Sequence, residues 1–504
     1  MTRFREPVRP LFRRAALFPK AVFAVLLLVP ALRHARADSA PTITLVDSIR
    51  DVLRADNDAI RLQDEKVKTA ATHVQEAAGA FDWTAQAQGG WQALYVPRAI
   101  GGVIPGKGIL SNQTDILSAY YYSLSLGREF RNGIQIAPGV TAYPNTSGAT
   151  PAQTFGLTAF RPSLGLRVPL LQGLGEEAAD AAELSAKATL TGTRFDRDFA
   201  IAHTVHDTVQ IYWRCLAAEQ VAEIAARSLQ DGKTFANSIK EQARRGLIEP
   251  SVAAADSAAN ATRQVTLDQN EDAVHSCRRD LSIATGGEAV TGAPAPFGIL
   301  PDPDAFDAAV ATLDDQSLND LALSNRSDLK AAREYISAAL ATRRGAENAT
   351  SPVLTLEVDP TRAIVVYSQS LENNAAEGKV AEDFSAQRQA EVALHQLETQ
   401  VQVDITDSVR NLRNALAEWK TTGEAERQTQ LAVESDRKRA RFGVLDRRTL
   451  LQTEDQLTQI ETDAVNAQLL FASSMAMLRL VTGTAHPEHE TPEASEALFT
   501  SLPP

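Results

Sequence analysis

Few residues in this chain combine types and spacings that could do chemistry. Cys215 and Cys277 are its two cysteines. If the chain reverses near residue 247, antiparallel partners have numbers summing to about 494, and these two sum to 492. They would then stand at equal height on neighbouring helices, where a disulfide forms if the side chains converge. Cys277 shares an apolar stripe with Val274, Leu281 and Ala284, and Cys215 follows Val205, Thr208 and Tyr212 at similar spacing. The pair therefore also reads as two small buried apolar residues. His203 and His206 lie three apart on a helix, but no third ligand is close in sequence, so no metal site is expected. Met475 and Met477 give no support to a thioether copper site. No nucleophile elbow, phosphate loop or zinc-binding helix motif occurs. Neither catalysis nor a cofactor is expected.

Something other than a reaction must then explain 504 residues that are 44% hydrophobic and carry a net charge of −13. That charge argues against a nucleic-acid partner, which needs a basic surface for phosphates. Two cysteines exclude a disulfide-framework scaffold. No uninterrupted apolar run reaches 18 residues, which argues against a helical membrane span. Residues 1–37 read as a signal peptide. They hold eight basic residues and one acid, then the apolar run Ala21 to Val29, Pro30, and small residues at Ala35 and Ala37. Arg13-Arg14 would suit the twin-arginine route, although the general secretory route is the commoner user of such a segment. Cleavage leaves 42 basic against 62 acidic residues, a net charge of about −20, in a compartment where disulfides persist.

The elements that must position any function are long. No proline occurs between Leu170 and Glu249, or between Thr361 and His486. These Ala-, Gln-, Glu- and Leu-rich stretches predict helices over about 173–245 and 373–442, each roughly 100 Å long. Helices of that length need a coiled-coil-like seam with partners. The chain also resembles itself. Arg244-Arg245-Gly246-Leu247 ends one long helix and Arg441-Phe442-Gly443-Val444 the other, 197 residues later. At the same offset, Leu281 to Gly286 returns as Leu478 to Gly483; upstream, Val52 to Ala80 also resembles Leu321 to Gly345. An internal duplication follows. Repeat 1 spans 38–286, with tip 246–250 and return helix 251–285; repeat 2 spans 317–484, with tip 443–446 and return helix 447–483. Residues 287–316 read as a linker or a small irregular domain, and 485–504 as a disordered acidic tail.

Residues 83–172 differ, with eight charges in 90 residues and dense glycine. Tyr120, Tyr122, Leu124 and Leu126 share one face, with Ser123, Ser125 and Gly127 on the other, and Leu164, Leu166 and Val168 alternate with Ser163, Gly165 and Arg167. This period of two predicts strands over about 84–96, 118–130, 133–143 and 155–169, with Asn132-Gly133 as a tight turn. Repeat 2 has room for strands 353–358 and 363–371. Strand length, aromatic content and alternation fit a share of a transmembrane β-barrel, closed with other chains because six strands leave two open edges. A soluble inserted β-domain is the alternative.

These features together resemble the TolC family of outer-membrane efflux proteins. The likeness covers about Thr42 to Thr484 and rests on the paired tips, the paired Leu-x-x-x-Thr-Gly ends, and Val168-Pro169-Leu170-Leu171-Gln172-Gly173-Leu174-Gly175. The resemblance implies an α+β membrane protein. Long antiparallel coiled-coil hairpins would form a periplasmic tunnel beneath a trimeric transmembrane β-barrel. The chain would be a passive homotrimeric conduit in the outer membrane, contacting outer-membrane lipid and extending into the periplasm. Its partners would be a periplasmic adaptor (membrane fusion) protein and an inner-membrane pump of the resistance-nodulation-division or ABC class. The tips, Arg244 to Leu247 and Arg441 to Val444, would form the entrance and dock the adaptor.

The family usually supplies four strands per chain, where six are read here. Some members also carry entrance carboxylates six and nine residues after the second tip glycine. Those positions are Thr449 and Gln452, with Glu454 and Asp455 further along as candidate substitutes. The competing reading is a secreted or surface coiled-coil, adhesin-like protein with no transport role.

Overall fold

The computed structural model describes residues 42–54, 57–99, 112–143, 159–246, 249–287, 293–360, 362–442, 444–445, 447–485 and 492–503. Residues 1–37, read as a signal peptide, lie outside them, as do Leu247 and Gly443. The elements run β1 (Thr42–Ile43), α1 (Leu45–Val52), α2 (Asp58–Ala78), β2 (Thr84–Ala99), β3 (Asn112–Glu129), β4 (Gln135–Tyr143), β5 (Ala159–Pro169), α3 (Glu176–Ala179), α4 (Ala181–Arg244), α5 (Pro250–Ala284) and β6 (Ala295–Pro296). Then come α6 (Asp307–Ala311), α7 (Asp315–Asn325), α8 (Ser327–Ala349), β7 (Val353–Asp359), β8 (Arg362–Ser368), α9 (Asn374–Arg441), α10 (Arg447–Val481) and α11 (Pro492–Phe499).

Helices α4 and α9 have 64 and 68 residues, roughly 100 Å each. Each folds back into a 35-residue partner, α5 or α10. Their apolar residues sit in two cores. One joins Ile49, Val205, Trp213, Leu281 and Phe499. The other joins Leu329, Ile405, Leu412, Phe471 and Leu478. Helix α10 is the one described helix long and apolar enough to cross a bilayer. Its apolar half instead lines both cores, where Phe471, Met475 and Leu478 are fully buried.

The paired Leu-x-x-x-Thr-Gly motifs are helix ends. Thr285 Oγ1 donates to the Leu281 carbonyl at 2.9 Å, and Thr482 Oγ1 to that of Leu478 at 2.8 Å. Gly286 (φ 82°) and Gly483 (φ 66°) then take the left-handed conformation that stops a helix and favours glycine. Each end rests on a helix start. Asn57 Nδ2 donates to the Ala284 carbonyl and Arg326 Nη1 to the Val481 carbonyl, both at 3.3 Å.

Six antiparallel strands form one open sheet in the order β2-β3-β4-β5-β7-β8, with β2 and β8 at its edges. At the β3–β4 turn, Gly133 takes φ 85°, and a Cβ there would collide with the Gly173 carbonyl. Strand β3 starts at Asn112, not near 118, because pairing with β2 continues through Asp115 as far as the Asn112–Ala99 pair. Strand β8 stops at Ser368, short of 371. Helix α4 starts at Ala181, not 173, since Gly173 and Gly175 have positive φ and only the one-turn α3 precedes it.

The expected disordered tail requires correction. Helix α11 lies within 485–504, with Phe499 fully buried against α1 and α10 residues. Although the segment is acidic and contains proline, one large apolar side chain anchors it to the core.

Candidate functional site

Strand register gives the sheet two chemically distinct faces, because directly paired residues share a face. One face carries Trp91, Tyr122, Leu124 and Leu126 from β2 and β3, Pro138 and Val140 from β4, and Leu164 and Leu166 from β5. Leu356 and Val365 continue it through β7 and β8. Tyr122 is 57% and Val365 62% exposed, values that in water would leave a large apolar band uncovered. The other face carries Gln86, Gln88, Ser123, Ser125, Glu129, Gln135, Thr141, Arg167 and Glu357. The arrangement can separate hydrocarbon from water.

At the far end, α4 stops at Arg244 and Gly246 reverses the chain with φ 71°. Arg245 pairs with Glu241 one turn back, and Pro250 opens α5. The second tip presents Phe442 (83% exposed) and Val444 to solvent. Thr449 is exposed. Above it, three acids are engaged by arginines. Arg437 Nε donates to Glu454 at 2.8 Å and its Nη2 to Asp231 of α4 at 3.2 Å. Arg263 of α5 donates to Asp455 through Nε at 3.1 Å and Nη2 at 2.5 Å. Asp455 and Asp231 are thus tied between the hairpins, while Glu454 braces Arg437 within the α9–α10 hairpin. Gln452 lines a cavity of about 240 Å³ with Asp256, Phe235, Ile239 and Leu451.

No protein-family model and no curated protein matches the sequence. Solved structures do. The Campylobacter jejuni CmeC outer membrane channel superposes with a TM-score of 0.64 at 11% identity, covering 91% of this chain and 90% of that one. VceC, the outer membrane protein of Vibrio cholerae, gives 0.62 at 14% identity, over 87% and 96%. The open state of the Neisseria gonorrhoeae MtrE outer membrane channel gives 0.61 at 14% identity, over 89% and 90%. The chain has the fold of these outer-membrane channels.

Within that channel fold, three groups between sheet and tips were not singled out by the sequence. Glu183, buried where the sheet meets α4, accepts from Arg131 at 2.8 and 3.0 Å and pairs with Lys187 at 2.7 Å. The Arg131 hydrogen bond holds its carboxyl at about 2 despite burial. Asp256 is the opposite case. It is 5% exposed, its Oδ1 has no hydrogen-bond partner, and burial pushes its pKa up. Asn260 Oδ1 and Arg263 Nη1 are likewise buried and unpartnered, and a Cβ at Gly232 would collide with both. The spacing of 256, 260 and 263 does place them on one helix face, a signal the charge pattern alone did not mark.

Cys215 and Cys277 are bonded across α4 and α5 with their Cα atoms 5.5 Å apart. His206 is buried and hydrogen-bonded to Gln210, while His203 pairs with Asp207 at 3.0 Å. Desolvation pulls the His206 pKa down.

Proposed function

We propose that this chain is the outer-membrane channel of a tripartite export system and belongs to the TolC family. One observation carries the reading. A six-stranded sheet with one polar face and one apolar face, the latter bearing a single charge at its rim, stands on two hairpins whose long helices exceed 60 residues. Hydrocarbon is the partner that matches the apolar face, and an aqueous lumen matches the polar one. Open edges on β2 and β8 require further strands, which two more copies supply. Three copies give a barrel of 18 strands, six from each, rather than the 12 usual in the family.

The hairpins of three copies then enclose a tunnel through the periplasm, built on an internally duplicated chain. Ala284 and Val481, 197 residues apart, each accept a hydrogen bond from the start of another helix, at Asn57 and Arg326, which supports that duplication. The tips from Arg244 to Leu247 and from Arg441 to Val444 form the entrance and dock a periplasmic adaptor, which is bound in turn to an inner-membrane pump. Exposed Phe442 and Val444 offer the apolar part of that surface. The ion pairs of Arg437 and Arg263 hold the hairpins together above it. An adhesin-like coiled coil leaves the apolar sheet face with no partner.

Fractionation of expressing cells tests this. The full chain should sediment with outer membranes and require detergent, with a native mass of three chains. A monomer that is soluble without detergent overturns it.

A further inference from the structure

The apolar face of the sheet ends at one cation. Along β3 the column Tyr120, Tyr122, Leu124, Leu126 is followed by Arg128. Arg128 lies in register with Ile136, which pairs with Leu166 and so with Val358, making an otherwise apolar row across the sheet. Among the described residues, Arg128 is the one charge on this face, and no carboxylate lies within ion-pair distance of it. Arg131, three residues on, differs in being matched by Glu183.

The Arg128 side chain is nevertheless fixed. Its Nε donates to the Phe81 carbonyl at 3.1 Å, and its guanidinium lies 5.7 Å from the Trp83 ring centre and 5.2 Å from that of Phe130. One donor is used and two terminal nitrogens remain, held in a planar fork by two aromatic rings. Trp83 is 52% exposed, and its indole N–H has no partner among the described residues. A pre-set fork, an unused indole donor and a rim position match a phosphodiester whose acyl chains run along the apolar face.

We propose that Arg128 and Trp83 form a binding site for the phosphate of a phospholipid headgroup in the periplasm-facing leaflet of the membrane. This rests on the membrane reading of the sheet. The guanidinium fork takes two phosphate oxygens, the Trp83 N–H takes an ester carbonyl, and the chains lie over Leu126 and Ile136. Three copies carry three such sites, which set the depth of the channel.

Native mass spectrometry of the detergent-purified full chain tests the site. Wild type, Arg128→Gln and Arg128→Lys are titrated separately with phosphatidylglycerol, phosphatidylethanolamine, diacylglycerol and inorganic phosphate. Wild type should hold both phospholipids about tenfold more tightly than diacylglycerol, and Arg128→Gln should lose that tenfold while Arg128→Lys keeps most of it. Equal phospholipid binding by wild type and Arg128→Gln overturns the proposal. So does a wild type that holds diacylglycerol as tightly, a comparison that needs no variant to fold. Inorganic phosphate that displaces phospholipid at equal concentration assigns the site to free anions and overturns it too. Planar-bilayer conductance of the same samples separates the two claims. Conductance without lipid discrimination removes this site alone, whereas a wild type with no conductance removes the channel.

Discussion

Arg437 and Asp231, 206 residues apart in sequence, meet in a 3.2 Å ion pair that ties the α9–α10 hairpin to the α4–α5 hairpin. Arg263 and Asp455 make a second tie between the same hairpins. Arg437→Ala combined with Asp455→Asn should loosen the tips while the fold persists, because partly exposed pairs contribute only about 0–1 kcal/mol each. Mean single-channel conductance should rise several-fold. Unchanged conductance with the trimer intact would show that these pairs do not hold the entrance.

The disulfide between Cys215 and Cys277 spans 62 residues that include the first tip. The positions 197 residues later are Leu412 and Ser474, so the other hairpin has no such bond. By loop entropy, losing the bond should cost about 4 kcal/mol. Denaturant unfolding of wild type and the Cys215→Ala, Cys277→Ala double variant measures this. Alkylation under denaturing, non-reducing conditions should add no mass to wild type, and two added groups would show free thiols.

Asp256 makes stability depend on pH. Its folded pKa lies above the unfolded value of 3.8 because burial disfavours the charge, with Arg263 and Lys240 pulling the other way and Arg448 and Asp455 lining the same cavity. The folded state therefore holds the proton more tightly. Its advantage is complete below 3.8 and is lost as pH rises through the folded pKa. Asp256→Asn should melt higher than wild type at neutral pH, and the gain should fade as pH falls toward about 4. A gain of equal size across that range would assign the effect to something other than ionisation.

Phe499 anchors the carboxyl-terminal segment in the α1–α4 core, while Arg479 donates to the Ser501 carbonyl at 3.1 Å. Phe499→Ala should cost about 3–5 kcal/mol. Removal of residues 492–504 should lower the melting temperature in the same direction. A tail that is merely appended would give no change.

Much of this was legible because long-range order here repeats local signals. Gly246 marks the tip because φ 71° suits glycine, and long proline-free runs rich in Ala, Gln, Glu and Leu favour helix. Asn132-Gly133 marked the β3–β4 turn for the same local reason. The legible features stop where partners decide the outcome. Asp115 stays in β3 because β2 pairs with it, and Phe499 folds because a core is waiting for it. The ties of Arg437 and Arg263 join helices nearly 200 residues apart or more, so no spacing rule exposes them. Arg128 is a single charge within an apolar column, visible only once the register assigns each residue to a face.

The central claim is that three copies of this chain enclose one continuous pore. Purified full-length protein added to one side of a planar lipid bilayer tests it most directly. The account predicts discrete, long-lived conductance steps of uniform size that increase when Arg437 and Asp455 are replaced. A bilayer that stays silent, with the protein remaining monomeric in detergent, would contradict it.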